Sequence, residues 1–292
     1  MTRNRIAQLA QKYMYHDMIG KHTELPDFPE ARIRLLYSVL GHQPAASLNK
    51  ELMALVASLV QMGLDTHDTV RNENAPSGEK SGILSMRAQQ LKVLAGDFFS
   101  ARFYQLLSQA GQIDAVRRMS EAVCEVNRVK MIFYTKMKQL KLNAEEYVQL
   151  SSEIRSGLFV AFTAFMQGLC ERLWPEIVER FSRCEVLLKE IRQVEQTSDL
   201  ESSWGVWHIM QEGSEEDRLA LAQRQEDSSF IRHLLDKYHV PEKLGGLLRQ
   251  SAQQLQGLLQ RVQSDKLLRD VQPLIEPFIT AAGLQPALKE LG

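Results

Sequence analysis

The sequence predicts an all-α protein: a helical bundle of about ten or more helices, forming a single domain over residues 1–292. Apolar residues recur at three- and four-residue spacing through nearly every long segment, which is the period of an amphipathic helix. The alternating pattern of a half-buried strand is scarce. The 292 residues include only 9 prolines and 16 glycines, and no polar stretch is long enough to indicate a domain boundary.

The helical period is clearest in two stripes. The first comprises Ile113, Val116, Met119, Val123 and Val126, and the second comprises Leu244, Leu247, Leu248, Leu255, Leu258, Leu259 and Val262. Prolines such as Pro29, Pro175 and Pro241 are predicted to lie at helix ends. Asn143 is the predicted N-cap of a helix that begins AEEYVQL, because its side chain can accept a hydrogen bond from a free backbone N–H.

Two polar, turn-rich stretches, residues 71–82 and 196–217, are predicted to be irregular. Within the second, His208 lies beside Trp204 and Trp207. This cluster suggests either a ligand pocket or aromatic packing in a short helix, and we favour the packing.

Charge and composition exclude several classes of function. Lys and Arg number 35 and Asp and Glu 36, so no field of one sign is available to attract nucleic acid. The most apolar stretch, residues 157–170, is too short to cross a bilayer. Three widely spaced cysteines favour reduced core thiols over disulfides. We therefore expect a cytoplasmic protein with no membrane span and no nucleic-acid partner.

Two stretches carry the functional signal. Residues 59–72 read LVQMGLDTHDTVRN, and residues 94–107 read LAGDFFSARFYQLL. A helical run that ends in His-Asp, followed by a loop and a Gly-Asp helix, resembles the trans-prenyl diphosphate synthases. In that family the first stretch reads LxHDDxxD, and its carboxylates share a helix face and bind magnesium.

Compared residue by residue, most of those carboxylates are missing here. His67 and Asp68 match the His-Asp opening, whereas Thr69 and Asn72 stand in place of the second and third aspartates. We call these four residues the degenerate motif. No second Asp-Asp-x-x-Asp occurs in the C-terminal half. We expect this chain to contain no catalytic residue, no metal ligand and no bound cofactor.

Upstream, PEARIRLLYSVL (29–40) resembles the GKRLRP segment of the same family, which binds a diphosphate. Arg32 and Arg34 match its two arginines. They are candidates for a residual phosphate contact, and the alternative is a pair of solvated arginines on a surface helix.

The Gly-Asp helix resembles a helix that crosses the subunit interface of the synthases and approaches the tail of the growing chain. The resemblance implies a partner interface or tunnel wall at Asp97, Phe98, Phe99, Arg102 and Phe103. This helix carries four aromatic residues, Phe98, Phe99, Phe103 and Tyr104. For at least two of them, ordinary core packing is the alternative.

Together these segments resemble heptaprenyl diphosphate synthase component I, most strongly over residues 25–170. The resemblance implies a non-catalytic, regulatory subunit that forms a heterodimer with a catalytic component II. That partner would hold Mg²⁺ and condense isopentenyl diphosphate onto farnesyl diphosphate, for menaquinone side chains. The small subunit would help set product length and could contact the product tail.

Three alternatives remain open at this point. An HD-type metal phosphohydrolase could use His67 and Asp68, with His42 as its upstream histidine. The chain could be a helical scaffold unrelated to isoprenoids. It could also be a self-sufficient synthase, which the missing carboxylates argue against.

Overall fold

The structure, a computed structural model, describes residues 5–44, 49–70, 79–196, 203–223 and 228–284. This part of the chain contains thirteen α-helices, one 3₁₀ turn and no strand, which confirms the all-α prediction. The helices are α1 (Arg5–Met14), α2 (Asp17–His22), α3 (Glu30–Gly41), α4 (Lys50–Asp68), α5 (Glu79–Gln109), α6 (Ile113–Lys138), α7 (Ala144–Val160), α8 (Leu169–Gln196), α9 (Trp204–Glu212), α10 (Glu215–Gln223), α11 (Ser228–Lys237), α12 (Val240–Arg261) and α13 (Asp265–Ala281). The 3₁₀ turn, Ala161–Phe165, follows α7.

The helices group into two compact units, Met1–Glu121 and Ala122–Gly292, and the division falls within α6. We call them unit 1 and unit 2. The single domain predicted from the sequence stays a prediction.

Helix α4 is the centre of unit 1. Its residues are buried almost without interruption from Met53 to Leu64, so it is apolar on all sides, as expected for a helix surrounded by others. Helices α1, α3 and α5 pack around it. Two buried hydroxyls of α4 bond along the helix itself: the Ser58 hydroxyl donates to the Leu55 carbonyl, and the Thr66 hydroxyl to the Met62 carbonyl.

Helix α8 has the same place in unit 2, with α7, α12 and α13 packed against it. Its largest side chain, Trp174, is fully buried and donates its indole N–H to the Phe159 carbonyl at 2.9 Å. The predicted leucine stripe of α12 faces this core: Leu244, Leu248, Leu255, Leu258 and Leu259 are buried. Asn143 caps α7 as predicted, in a reciprocal capping box with Glu146.

Two predictions about local structure were wrong: that Pro175 lies at a helix end, and that residues 196–217 are irregular. Pro175 lies inside α8, where the missing N–H costs one helical hydrogen bond. The buried side chains on either side of it hold the helix together in spite of that loss. Most of the described part of 196–217 is helical, since α9 and α10 begin at Trp204 and Glu215.

Among the described residues, no helix is both long and apolar enough for a membrane crossing.

Candidate functional site

The His67 side chain contacts the helix that carries the Gly-Asp pair. Its Nε2 lies 3.3 Å from Oδ1 of Asp97. The imidazole also lies against Gly96: a Cβ built on that glycine would be 2.6 Å from Nε2 and 2.7 Å from Cε1. The sequence comparison singled out both segments without predicting that they touch. The structure brings them together as one contact between α4 and α5.

A second glycine, one turn earlier on α4, extends this contact. A Cβ on Gly63 would be 2.5 Å from the Ser100 hydroxyl and 3.0 Å from the backbone oxygen of Gly96. Any larger residue at 63 or 96 would therefore push the helices apart or displace a neighbour. We call Gly63, His67, Gly96 and Ser100 the α4–α5 crossing.

The end of α4 is closed by hydrogen bonds from its own residues and from a lysine. Thr69 is the C-cap, and its hydroxyl donates to the Thr66 carbonyl at 2.8 Å. The Lys92 ammonium donates to the Thr69 carbonyl at 3.3 Å. A cation therefore lies at the negative end of the α4 dipole, where its charge is favourable. The same charge would repel a metal ion at this helix end. Asp68 is exposed, and Asn72 lies outside the described residues.

Two further candidate metal ligands, Asp65 and His42, have hydrogen-bond partners of their own. The Gln61 amide donates to Asp65 at 2.8 Å. His42, the upstream histidine of the phosphohydrolase alternative, lies at the C-cap of α3 with Nδ1 2.8 Å from the Ser38 carbonyl. Over the described ranges, no group of three or more His, Cys, Asp or Glu side chains is placed to hold a metal ion.

The two candidate phosphate-binding arginines differ in their surroundings. Arg32 is only 4% exposed, so the alternative of a solvated surface arginine does not hold for this residue. Its position on the buried side of α3 follows from helical spacing, since Ile33, Leu35 and Leu36 around it are also buried. Arg34 is partly exposed and lies 3.5 Å from Glu30, one turn away.

The aromatic residues of α5 divide between core and surface. Phe99 and Phe103 are buried in unit 1, so a partner cannot contact them directly, and the core-packing alternative holds for these two. Phe98 is half-buried, with the His16 ring against its edge and the Arg102 guanidinium 4.7 Å from its centroid. Tyr104 is exposed, and its hydroxyl lies 3.0 Å from that of Ser120.

Helix α5 also exposes aliphatic side chains that the motif comparison did not select. Where the structure describes the side chains of this helix, from residue 86 onward, its exposed large apolar residues are Met86, Val93, Leu94 and Tyr104. Their spacing of seven to eight and ten residues places them along one side of the helix. We call this set the outer face of α5. Its signal in the sequence is weak, because apolar residues fall on both sides of the helix and periodicity alone cannot say which side is covered.

Unit 2 contains a buried carboxylate, Glu190. Glu190 of α8 is 1% exposed, accepts the Tyr147 hydroxyl at 2.7 Å and accepts the Trp204 backbone N–H at 2.8 Å. One carboxylate thus joins α7, α8 and the start of α9. Burial, together with the Glu190 charge, raises the pKa of the Tyr147 hydroxyl well above its usual value. The phenol therefore remains a hydrogen-bond donor at physiological pH.

Next to this junction lies an open groove of about 380 Å³ between α7, α9 and α12. The groove is lined by Ala144, Glu145, Trp204, His208, Gln211, Lys243, Gly246 and Leu247. The Trp204 and His208 rings are stacked, with centroids 4.9 Å apart and planes 4° from parallel. His208 is therefore packed as predicted from the sequence, but it also lines a groove. Lys243 was not predicted, because it lies 35 residues from His208.

Comparison with known proteins identifies the family of this chain. The family model for heptaprenyl diphosphate synthase (HEPPP synthase) subunit 1 matches residues 16–238. Heptaprenyl diphosphate synthase component 1 of Geobacillus stearothermophilus is 36% identical over 98 residues, which are 34% of this chain and 40% of that protein. The match to this curated relative thus spans less than half of its length.

Solved structures share the fold at low identity. A geranylgeranyl pyrophosphate synthase from Corynebacterium glutamicum superimposes with a TM-score of 0.73 at 15% identity, over 97% of this chain and 92% of that one. A polyprenyl synthase from Roseobacter denitrificans gives 0.70 at 14% identity, over 96% and 94%. The fold is that of the polyprenyl synthases. Because the family model matches most of this chain, the chain belongs to the heptaprenyl diphosphate synthase subunit 1 family.

Proposed function

We propose that this chain is the non-catalytic, regulatory subunit of a heterodimeric prenyl diphosphate synthase. Its partner, a catalytic component II, would carry Mg²⁺ and condense isopentenyl diphosphate onto farnesyl diphosphate to give a heptaprenyl or hexaprenyl product. The relative from Geobacillus stearothermophilus is named component 1 of such a synthase, which supports a second component. A cytoplasmic location and a role in making menaquinone side chains belong to the same proposal.

The end of α4 is the observation that carries this proposal. The metal motif of a synthase needs several carboxylates on one helix face. In this chain Thr69 replaces one of them and bonds back to its own helix, and Lys92 places a positive charge at the same helix end. His67 is packed on Gly96. These residues can hold two helices together, and they lack the oxygen ligands that diphosphate departure needs.

The outer face of α5 is the surface that we propose for the partner. Leu94 is 63% exposed and Met86 is 55% exposed, and burying such side chains against another protein would contribute about 2 kcal/mol each. Asp97, predicted as an interface residue, is also exposed there, and Phe98 and Arg102 lie half-buried on the same helix. Phe99 and Phe103 remain candidates for a tunnel wall, where a buried aromatic could limit product length.

Co-expression with a catalytic component II tests the proposal. We expect the two chains to co-purify and the pair to extend farnesyl diphosphate with Mg²⁺, whereas neither chain alone gives product. Leu94→Glu should weaken the pairing tenfold or more, because a charge would be buried in an apolar contact. Leu219→Glu is the matched control, since Leu219 is 58% exposed and belongs to α10, a helix of unit 2.

Two results would contradict the proposal. Prenyl transfer by the isolated chain would show that it contains its own active site. Equal effects of Leu94→Glu and Leu219→Glu on pairing would exclude the outer face of α5 as the interface, while leaving the subunit assignment intact.

A further inference from the structure

The groove in unit 2 carries an inference that is independent of prenyl transfer. Its volume of about 380 Å³ is in the range of small-molecule sites, and such sites combine an apolar lining with a few placed polar groups. Trp204, Leu247, Ala144 and Gly246 supply the apolar lining here. The polar groups decide what kind of molecule it would accept.

The histidine in the groove is held neutral. Lys243 can only donate, so the 2.9 Å contact between its Nζ and Nε2 of His208 makes Nε2 an acceptor. The other ring nitrogen then carries the proton, in accord with a hydrogen bond to the backbone of Tyr238. Burial, reinforced by the nearby Lys243 charge, lowers the pKa of His208. The ammonium of Lys243 is therefore the local positive charge, and only one of its three donors is used by His208.

The polar groups that line the groove differ in how far their hydrogen bonds are satisfied. Among the described residues, the buried indole Nε1 of Trp204, a side chain that is 4% exposed, has no hydrogen-bond partner. A buried donor of this kind costs free energy unless something accepts from it. The acceptors that line the groove have partners of their own: both Glu145 oxygens accept from Arg183, at 3.0 and 3.2 Å, and the Gln211 side-chain oxygen accepts the Ala144 N–H at 3.3 Å.

We propose that this groove binds an amphiphilic oxyanion, a small molecule in which a phosphate or carboxylate group is joined to an apolar chain or ring. The oxyanion would accept from Lys243, and the apolar portion would lie along Trp204 and Leu247. A cation would be repelled by Lys243, because the Glu145 charge is already paired with Arg183. A neutral apolar molecule would make no use of the two remaining Lys243 donors.

Isothermal titration of the purified full-length chain tests the proposal with four probes. Octyl phosphate and octanoate, kept below their micelle concentrations, share the apolar chain and differ in the oxyanion, so they separate phosphate from carboxylate ligands. Inorganic phosphate lacks the chain, and octylamine reverses the charge. We expect saturable one-site binding of at least one octyl anion, about tenfold weaker binding of inorganic phosphate, and no binding of octylamine.

A lysine substitution localises the site. Lys243→Met keeps the aliphatic stem and removes the charge, so it should weaken binding about tenfold or more. Lys266→Met, at an exposed lysine of α13, is the matched control and should bind as the unsubstituted chain does. Circular dichroism checks that both variants are folded. Absence of saturable binding by both octyl anions, equal binding of octylamine, or unchanged affinity in Lys243→Met would overturn the proposal.

Discussion

Unit 1 and unit 2 treat polar side chains near a helix end in opposite ways. At the end of α4, two glycines let the helices approach until an imidazole lies against a backbone, and the remaining polar groups bond locally or face solvent. At the end of α8, a buried carboxylate joins three helices, and an open groove with a lysine and a histidine lies beside it. Residues of the degenerate motif thus serve helix packing, whereas the polar residues that line a groove in unit 2 belong to no recognised motif.

The largest expected effect tests the buried carboxylate. Glu190→Ala would leave the Tyr147 hydroxyl and the Trp204 N–H without their acceptor, and two buried unpaired donors cost about 3 kcal/mol together. Chemical denaturation should show a loss of stability of this size.

Tyr147→Phe is the control for that measurement. It removes one of the two hydrogen bonds and should cost about 1 kcal/mol. If Glu190→Ala were as stable as the unsubstituted chain, the junction of α7, α8 and α9 would not depend on the carboxylate.

The α4–α5 crossing should give an intermediate effect that depends on a pair of residues. Gly96→Ala improves helix propensity by about 1 kcal/mol, but its Cβ would meet the His67 ring, and such overpacking costs about 1–3 kcal/mol. In a His67→Ala background the ring is absent, so the same substitution should become neutral or stabilising. A double-mutant cycle should therefore give a coupling of about 1 kcal/mol or more.

A helical glycine without neighbours provides the comparison for the cycle. A Cβ on Gly245 of α12 meets no atom within 4 Å, so Gly245→Ala should be neutral or stabilising in either background. Additive effects of Gly96→Ala and His67→Ala would show that the ring does not fill the space above the glycine.

Much of the fold and part of the site could be predicted from the sequence. The leucine stripe of α12 and the Asn143 cap were predictable because both depend on residues within a few turns of one another. Thr69 and Asn72 could be compared with the motif aspartates for the same reason, since the motif is one short stretch of sequence. The contact of His67 with Gly96, the contact of Lys92 with Thr69, and the groove were not predictable, since each depends on side chains brought together by tertiary packing.

The spacing of apolar residues also could not predict which aromatic residues of α5 are buried. Phe98 and Phe99 are adjacent in sequence, yet one is half-buried and the other fully buried. The difference follows from which side of α5 faces α4. Aromatic density alone could therefore not show that Phe99 and Phe103 are the two aromatic residues that belong to the core.

The central claim is that the degenerate motif packs helices and takes no part in chemistry. Its most direct test is the Mg²⁺-dependent prenyl-transfer rate of the reconstituted pair with Asp68→Asn in this chain, the remaining carboxylate of the motif. We predict a kcat within about twofold of the unsubstituted pair and an unchanged Mg²⁺ requirement, because removing a metal-binding carboxylate would cost far more. A fall of about a hundredfold in kcat, or a raised Mg²⁺ requirement, would contradict the claim and place Asp68 in the active site.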